Sequence, residues 1–387
     1  MAISCPETQQ QELEGTACSV TRRTQIPLES GFRRVSYGFD SLDIGFYVQW
    51  DGHWERLLGW LQDNKEQAIR KKLVRDKTPS GRTFFHLPTG KAPNYRYQLR
   101  FPEYILYIAI GNLPRDSPNV YVSILSESIW NIGVKETVQQ ITKDLQEFNG
   151  KIIKTLVSRF DLCVDYLLPE DLTLQFLKEH KVCRTRKGSQ FDDDDVLETF
   201  YVGRRGARFQ LRIYNKGKEI MTASGKRWFL KHWGLEKPDG VWRVEFQIRR
   251  PALKEFQINT VDDLFEKAPA LWEYLTCKWF SLRYRDNERQ NRRTVHPWWE
   301  DVQQTAHRLG EIIPIERIQK SDLLPPVYHF IKQMGGMLPS YAARLGIRDL
   351  SEATAELAND LVTYWFEKDF YNAYDQRLTR LGFSTFQ

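Results

Sequence analysis

The chain lacks the patterns that mark exported, disulfide-framed or membrane-spanning proteins. Its five cysteines among 387 residues are odd in number and never spaced as C-x-x-C, which indicates reduced thiols rather than disulfides or a zinc site. No stretch approaches the ~18 consecutive apolar residues of a membrane span, and no cationic start precedes an apolar run. These absences predict a soluble, cytoplasmic protein with no membrane partner.

What the chain does contain is material for a large core. Hydrophobic residues make up 41% of the sequence and include 12 tryptophans, so wholesale disorder is excluded. The length suits one large domain or two ordinary ones. The formal net charge of +6 permits nucleic-acid binding without requiring it.

The type of periodicity changes near residue 250. Alternating patterns predict strands at 39–50, 82–87, 95–101, 104–110, 120–125, 152–166, 209–216 and 242–249. Helical periodicity predicts helices at 53–77, 129–148, 169–180 and 216–233, and most segments after residue 261 are also helical in pattern. The sequence therefore predicts an α+β fold, with a central, largely antiparallel sheet flanked by helices and a mainly helical C-terminal region.

Three of the predicted strands carry apolar side chains on one face and polar ones on the other. Side chains along a strand alternate with a period of two. In the segments 159–166, 209–216 and 242–249, with the residue before the second segment included, the polar parity carries Arg159, Asp161, Cys163, Asp165, Arg208, Gln210, Arg212, Tyr214, Arg243, Glu245, Gln247 and Arg249. If these strands share a sheet, carboxylates, arginines and a tyrosine meet on one face.

Tyr214 is the candidate nucleophile of this polar face. A tyrosine stores phosphodiester energy when its oxygen attacks phosphorus and forms a phosphotyrosine, which a later hydroxyl displaces. A phenol with a pKa near ~10 is a weak nucleophile at neutral pH and therefore needs positive charge nearby. Arg212 has the same parity as Tyr214, and Lys216 and Lys218 follow directly. These three cations are also candidate DNA contacts.

Asp161, Asp165 and Glu245 are candidate ligands for a divalent metal. Carboxylate oxygens suit magnesium or manganese, which would polarise the phosphate oxygens. The structural alternative is that an antiparallel sheet simply turns a polar face to water. Solvated strands usually favour Thr, Lys and Glu, whereas this face combines Asp and Glu with Arg and a large phenol. The pattern alone leaves both interpretations open.

Three motifs occur in order within about residues 39–250: SRFDLCVDY, FYVGRRGARFQLRIYNKGKE and WRVEFQIRR. This order resembles the trans-acting rolling-circle replication initiators of plasmids and filamentous phages, and the related relaxases of some integrative elements. That family shows an R-x-D-x-x-x-D strand, a G-x-R…R-x-Y-[ND]-K strand with the nicking tyrosine, and a W-R-x-E strand. The Y-N-K and W-R-V-E segments are specific in combination and weak singly.

The resemblance implies roles for the matching residues. Tyr214 would be the nucleophile, and Asp161 and Glu245 would belong to an acidic metal cluster. Three arginines at family positions would contact phosphate or brace the carboxylates: Arg159, Arg212 and Arg243. Arg204 and Arg205, in the segment GRRGAR, could hold the DNA backbone, although a charge-rich hairpin turn would have the same sequence.

The chain departs from related patterns at three points. The family's early acidic residue, in an F-D-x-x-x-[IV] strand, matches Asp40, and the resemblance therefore favours Asp40 as a further metal ligand. Strict alternation favours Asp43 instead, but a β-bulge would reorient Asp40. Some relatives carry a glutamate where this chain has Ser123, so a metal site here would be built differently or would be weaker. The better-known nicking enzymes bind metal through an H-x-H pair, which none of the seven histidines forms.

The resemblance implies a site-specific DNA strand transferase that initiates rolling-circle replication. The enzyme would nick origin DNA at a single-stranded or hairpin site, keep the 5′ end and release a 3′ hydroxyl. A host polymerase would extend that hydroxyl while a host helicase unwinds ahead of it, and the family suggests a homodimer. Tyr166 and Tyr201 are possible helpers if a second nucleophile is needed.

Other functions fit parts of the pattern. A relaxase that starts conjugative transfer uses the same chemistry, and sequence does not separate the two. A DNA-binding regulator could keep the fold and lose cleavage. A sugar- or nucleotide-processing enzyme could use the carboxylates as acid and base, but it leaves the basic surroundings of Tyr214 unexplained.

Composition and motifs together predict three parts. Residues 1–30 are rich in Gln, Glu and Thr with little periodicity, and we expect a flexible N-terminal tail. Residues 31–255 contain the motifs and are the predicted nicking domain. Residues 256–387 are the predicted helical part, suited to DNA binding or dimerisation.

Overall fold

The computed structural model describes residues 30–380 apart from 53, 113, 115, 186–187, 194–195 and 314–326. The tail predicted at 1–30 therefore lies, but for its last residue, outside the described residues. The strands are β1 (Arg33–Trp50), β2 (Val74–Lys77), β3 (Thr83–Leu87), β4 (Tyr95–Arg100), β5 (Tyr104–Ala109), β6 (Val120–Ile124), β7 (Gly150–Leu167), β8 (Lys181–Cys183), β9 (Gly188–Asp193), β10 (Val196–Val202), β11 (Phe209–Asn215), β12 (Val241–Arg249) and β13 (Phe280–Leu282).

The α-helices are α1 (Trp54–Lys71), α2 (Ser126–Asn131), α3 (Val134–Glu147), α4 (Leu174–His180), α5 (Lys216–Glu219), α6 (Phe229–Trp233), α7 (Arg250–Glu255), α8 (Val261–Glu273), α9 (Pro297–Leu309), α10 (Val327–Leu345), α11 (Leu350–Phe366) and α12 (Phe370–Arg380). Two π-helical segments, Ile220–Ser224 and Tyr274–Trp279, and a 3-10 turn at Gln290–Arg292 complete the helical structure of the described residues. No helix among these residues is long and apolar enough to cross a membrane.

Within the described residues, eleven strands form one sheet in the order β2-β3-β4-β5-β6-β1-β7-β12-β11-β10-β9. All of its neighbouring strands pair antiparallel. β8 and β13 form a separate two-stranded ribbon. Helices pack on this sheet and dominate the C-terminal end, so the predicted α+β class is confirmed.

The central strands align their apolar residues on one face. Val244 of β12 pairs with Val164 of β7 and with Ile213 of β11, and all three side chains are fully buried. Residues of the same parity join the apolar side chains of β1 in one large hydrophobic cluster. The polar side chains of these strands consequently lie together on the opposite face.

Helices α8 and α9 complete this core. Trp272 of α8 and Trp298 and Trp299 of α9 are fully buried in the same hydrophobic cluster as the sheet. The domain boundary predicted at residue 255 therefore falls inside one packed core, because these helices supply apolar surface that covers the sheet.

Helices α10, α11 and α12 differ from the helices before them. Their large apolar side chains are mostly exposed, and Phe366 reaches 91%. Contacts between α10 and α11 hold two of these helices together. This part corresponds to the end of the predicted helical region.

Three predicted helices are shortened or divided where the backbone turns left-handed. α1 ends earlier than predicted because Lys72 has a φ of 72°, and the chain continues as β2. The helix predicted at 129–148 is divided into α2 and α3 at Gly133, whose φ is 107°. The helix predicted at 216–233 is interrupted at Gly225, whose φ is 65°.

Candidate active site

Three rows of facing residues form the polar face of β11, β12 and β7. From β11 through β12 to β7, the rows are Tyr214–Arg243–Asp165, Arg212–Glu245–Cys163 and Gln210–Gln247–Asp161. Successive rows are two residues apart along each strand, so their side chains project from the same face. The structure thus brings the predicted nucleophile together with predicted carboxylates and arginines.

Arg212 joins the carboxylates of Asp161 and Glu245. Its Nη2 donates a hydrogen bond to Oδ2 of Asp161 at 3.0 Å and another to Oε1 of Glu245. Nε of Arg159 donates to Oδ1 of Asp161 at 2.9 Å. Both carboxylates are fully buried, whereas the two arginines are half-buried. One guanidinium nitrogen therefore lies between two anions at the boundary of the buried region.

The two carboxylates of this pair differ in their affinity for protons. Burial raises the pKa of Asp161, and the charge of Glu245 adds to this effect. Burial acts to raise the pKa of Glu245, but the positive charges of Arg212, Arg243 and Lys216 together outweigh it, and the pKa lies below its usual value. Glu245 is consequently the carboxylate that stays ionised, and Asp161 is the first of the two to take up a proton as the pH falls.

Tyr214 is in contact with the ionised carboxylate. Its Oη donates a hydrogen bond to Oε2 of Glu245 at 2.9 Å, and its side chain is half-buried. Burial, followed by the negative charge of Glu245, raises the pKa of Tyr214 well above its usual value. The phenol is therefore neutral in the free protein, and Glu245 is positioned to accept its proton.

Arg243 is completely buried and holds a second pair of carboxylates. Its Nε and Nη2 donate to the two oxygens of Asp165 at 2.6 and 2.8 Å, a bidentate arrangement. Its Nη1 lies 2.7 Å from Oδ1 of Asp40, close enough for an ion pair although the angle does not make a hydrogen bond. The ring of Phe229 covers the guanidinium, with its centroid 4.7 Å from Cζ. Arg243 therefore braces carboxylates and is too deeply buried to serve as the predicted DNA contact.

Asp165 is bonded through both carboxylate oxygens. Besides the two bonds from Arg243, it accepts hydrogen bonds from Oγ of Ser36 at 2.6 Å and from Nε1 of Trp233 at 2.8 Å. A metal ion at Asp165 would have to displace these donors. The geometry thus gives Asp165 a structural role, and its ligand role stays a prediction.

A β-bulge brings Asp40 into the cluster. The register between β1 and β7 shifts between Phe39 and Ser41, and Asp40 lies at this irregularity, where a bulge redirects side chains. Its Oδ1 accepts a hydrogen bond from Oγ of Ser126 at 2.8 Å. Burial acts to raise the pKa of Asp40, but the positive charges of Arg243, Lys216 and Lys226 together outweigh it, and the pKa lies below its usual value.

Asp43 lies on the polar face but outside these pairs. Its Oδ2 accepts a hydrogen bond from Oη of Tyr121 at 2.8 Å. Its cross-strand neighbours are Arg159 of β7 and Ser123 of β6. A glutamate at position 123 would therefore lie beside Asp43, so the departure from the family pattern affects this position rather than the carboxylates joined by Arg212.

Lys216 supplies positive charge to Tyr214 from inside the protein. It is buried, and its Nζ lies 5.7 Å from the ring centroid of Tyr214 and 5.1 Å from that of Phe229. Burial lowers the pKa of Lys216. Lys218 is more exposed and forms an ion pair with Glu198 at 2.6 Å. Of the two lysines predicted to contact DNA, only Lys218 is exposed enough to do so in this arrangement.

The structure separates the remaining predicted residues from the nucleophile. Arg204 and Arg205 are exposed in the turn between β10 and β11, at the opposite end of β11 from Tyr214. They lie outside the carboxylate pairs, and their contact with DNA stays a prediction.

The two possible helper tyrosines lie on different faces of the sheet. Tyr166 is buried in the core, where its Oη donates to Oδ1 of Asp301 at 2.5 Å. Burial, with that bond, raises the pKa of Tyr166. Tyr201 of β10 pairs with Arg212 of β11 and so belongs to the polar face. Tyr201 is therefore the better placed of the two for a second nucleophile.

Gly217 keeps the turn after Tyr214 close to a neighbouring segment. A Cβ at this position would lie 2.0 Å from the carbonyl oxygen of Pro238, so the backbone would have to move. We expect Gly217→Ala to lower the free energy of unfolding by about 1–3 kcal/mol, measured by urea denaturation. The matched control is Gly59→Ala on α1, where a Cβ meets nothing within 4 Å and should stabilise the helix by about 0.5–1 kcal/mol. Equal shifts in both variants would contradict the close approach.

Asp161 and Glu245 are the residues that fit a divalent metal. Among the described residues, no three His, Cys, Asp or Glu side chains are grouped to hold an ion. Magnesium, however, is usually bound by one or two carboxylates together with water and substrate phosphates. An oxygen of each carboxylate already converges on Nη2 of Arg212. The pair therefore suits such an ion, provided that Arg212 moves aside.

Sequence reasoning missed the donors that complete the cluster. Trp233 bonds Asp165 from 68 positions away, and Ser36 and Ser126 come from other elements. No local pattern marks these donors, because they approach from segments folded over the polar face.

Comparisons with known proteins find replication proteins. Residues 127–267 match the Phage CRI family model, which describes the N-terminal part of a replication-associated protein. A rolling circle replication initiator protein from Geobacillus stearothermophilus has a solved structure that is 14% identical, with 72% of this chain and 98% of that chain covered and a TM-score of 0.40. No curated protein matches the chain. The matched segment is less than half of the chain, includes Asp161, Tyr214 and Glu245, and supports the predicted resemblance to rolling-circle replication initiators.

Proposed function

We propose that the protein nicks one strand of origin DNA through a phosphotyrosine at Tyr214 and thereby initiates rolling-circle replication. The observation that carries this proposal is the hydrogen bond from Oη of Tyr214 to the buried, ionised carboxylate of Glu245. A nucleophile in contact with a base, and the base held by Arg212, is the arrangement expected for an activated hydroxyl.

The proposed cleavage step is a transfer between oxygens. Oη of Tyr214 attacks the phosphorus of the scissile phosphodiester, and its proton passes to Oε2 of Glu245. The bond from phosphorus to the 3′ oxygen breaks, that oxygen takes up a proton, and the 5′ end stays on the tyrosine. In rejoining, a 3′ hydroxyl attacks the phosphotyrosine and the phenol regains its proton. No external energy source is consumed.

A divalent ion held by Asp161 and Glu245, magnesium or manganese, would polarise the phosphate oxygens. Arginines of the chain would also stabilise the negative charge of this phosphate. Arg159 and Arg212 are half-buried at the polar face, so their guanidinium groups can meet a phosphate that approaches from solvent.

The DNA and protein partners follow from this chemistry. The phosphodiester must reach Tyr214 unpaired, so a single-stranded or hairpin nick site in origin DNA is the proposed substrate. The cations proposed to hold its backbone are the exposed Arg204 and Arg205 and the half-buried Lys218. A host polymerase, a host helicase and a homodimer remain part of the proposal. A relaxase that starts conjugative transfer would use the same residues.

Mapping the covalent adduct tests the proposed function. The protein is incubated with supercoiled plasmid bearing its native flanking DNA, with manganese or with EDTA, and stopped with SDS. We expect a protein–DNA adduct in manganese only, and mass spectrometry of the nuclease-treated adduct should place the nucleotide on the peptide that contains Tyr214. Specific binding without any adduct would favour a DNA-binding regulator, and a different modified residue would move the nucleophile.

Arg212 and a bound cation should compete for the same two carboxylates. In Arg212→Gln, Asp161 and Glu245 lose the guanidinium that both contact, and we expect manganese to bind about tenfold more tightly, or ~1.4 kcal/mol. Isothermal titration calorimetry measures the affinity, and the thermal midpoint should rise more with manganese in the variant than in the wild type. Arg249→Gln is the control, since Arg249 contacts Gln247 on the same face. Weaker manganese binding by Arg212→Gln would refute the competition.

A further inference from the structure

A cavity at the far end of the sheet is not used by the proposed cleavage reaction. It has a volume of about 410 Å³ and is lined by Trp50, Trp54, Trp60 and Phe148, with Arg56 and Lys77 among the charged residues around it. Binding sites for small ligands commonly have volumes of roughly 300–1,000 Å³ and mostly apolar walls. The cavity is therefore large enough for one nucleotide.

The position of the cavity separates it from Tyr214. Trp50 pairs with Gly150 at the start of β7, whereas Asp161 lies eleven residues further along that strand. At ~3.3 Å per residue, about 35 Å of strand lies between them. A ligand in this cavity does not contact the carboxylates at Tyr214.

The indoles of Trp50 and Trp54 form one wall of the cavity. Trp50 is 5% exposed, and its ring stacks on that of Trp54 with centroids 5.7 Å apart. Gly150 leaves room for the ring of Trp50, because a Cβ on Gly150 would lie 2.9 Å from Cζ3 of Trp50. The two rings are therefore packed in place and offer a flat apolar surface on which a ring can stack.

The charges around the cavity distinguish two classes of aromatic-site ligand. Aromatic walls suit either a cation or a flat base. Three acids line the cavity, but Asp51 is exposed to solvent, and Asp76 and Glu147 already accept hydrogen bonds from other residues. The exposed cations Arg56 and Lys77 at the same cavity disfavour a cationic ligand. A nucleobase that carries a phosphate is the better match.

Positive charge next to the cavity suits the phosphates of the same ligand. Five exposed cations occupy the end of α1 and the segment that follows it: Arg70, Lys71, Lys72, Arg75 and Lys77. Lys77 also lines the cavity. Single-stranded nucleic acid is commonly held by this combination of a basic track and aromatic stacking surfaces.

We propose that the cavity binds one unpaired base of the DNA strand, stacked against its indoles, while the cations at 70–77 contact the adjoining phosphates. The proposal rests on the proposed function in that the ligand is DNA. It adds a second DNA contact remote from the nucleophile, which would hold the substrate while Tyr214 is covalently occupied.

The test compares oligonucleotide binding with adduct formation. A fluorescein-labelled single strand from the flanking DNA is titrated with the full chain, and then with the same strand carrying one abasic site at successive positions. We expect one position at which loss of the base weakens wild-type binding about tenfold. Trp54→Ala should weaken binding of the intact strand about as much, and its affinity should no longer depend on the base at that position. Combining Arg56→Glu with Lys77→Glu, both at exposed positions, should lower the affinity for every strand without disturbing the fold. Trp365→Ala, on α11, should leave the affinity unchanged.

Each outcome decides the proposal. Equal affinity for all abasic strands, or unchanged binding by both the tryptophan and the charge variants, would overturn it. Deoxynucleoside monophosphates that quench tryptophan fluorescence as tightly as the strand does would assign the cavity to a free nucleotide instead of DNA. The abasic pattern together with no covalent adduct at Tyr214 would keep the cavity and overturn the proposed cleavage, so the two failures are distinguishable.

Discussion

Tyr214→Phe should abolish the covalent protein–DNA adduct. The substitution removes the only atom of this side chain that can attack phosphorus, Oη, and leaves the ring in place. Loss of a catalytic nucleophile typically costs several orders of magnitude in rate, so adduct formation should fall by at least about three orders. The measurement is the yield of SDS-stable adduct on a labelled single-stranded oligonucleotide that contains the nick site, in the presence of manganese.

The fold and DNA binding should survive this change. The variant loses one hydrogen bond, from Oη to Oε2 of Glu245, which is worth about 1 kcal/mol. Tyr166→Phe is the matched control, because it also removes a phenolic hydrogen bond, to Asp301, but in the core. We expect that control to keep full adduct formation. An adduct that persists in Tyr214→Phe would show that another residue, such as Tyr201, is the nucleophile.

Arg243→Met should be the most destabilising single substitution at the site. The guanidinium is fully buried and bonded to both oxygens of Asp165, with Asp40 at 2.7 Å. Removing one partner of a buried ion pair costs about 3–5 kcal/mol, since the opposite charge stays buried without compensation. Here two carboxylates lose their cation, and urea denaturation at pH 7 should show a loss at the upper end of that range.

Two further variants separate charge from packing. Arg249→Met removes a half-buried arginine of the same strand, whose Nε donates one hydrogen bond to the neutral side chain of Gln247, and it should shift the urea midpoint little because no buried charge loses its partner. Asp165→Asn in the Arg243→Met background should recover part of the lost stability, because it removes one of the uncompensated charges. A loss below about 1 kcal/mol for Arg243→Met would mean that Asp165 and Asp40 are compensated by other groups.

Alternation along the chain was enough to predict the centre of the fold. The positions of β3 to β6 and of β7, β11 and β12 follow from period-two patterns with buried apolar parity. Alternation did not show that β7, β11 and β12 are neighbours in one sheet, which is a finding of the structure. Periodicity does not show where a helix ends. The residues of β2 were predicted as part of the helix at 53–77 because their basic side chains continue the pattern of α1. The assignment of α8 and α9 to the sheet's core could not be predicted, since periodicity shows that a helix is amphipathic and not what it packs against.

The site was predictable in its composition but not in its pairing. The parity rule placed Asp161, Tyr214 and Glu245 on one face, as the structure has them. Which arginine stays near solvent and which braces buried carboxylates could not be inferred from the sequence, because burial decides between these roles. Arg212 stays near solvent, whereas Arg243 lies beneath Phe229. The place of Asp40 in the site could be predicted only from the family resemblance, since a bulge interrupts the alternation at that point.

The shared register of β11 and β12 would link the proposed nicking activity to folding. Ile213 faces Val244 in the core, and the next residue, Tyr214, faces Arg243 on the polar side. A slip of one residue would expose the apolar set and push Arg212 into the core, where an unpaired charge is costly. Misaligned molecules should therefore unfold rather than persist as inactive folded protein. Across a denaturant series, we expect the fraction of molecules able to nick to equal the folded fraction. Active-site titration would then also measure the fraction of molecules in which β11 and β12 are correctly aligned.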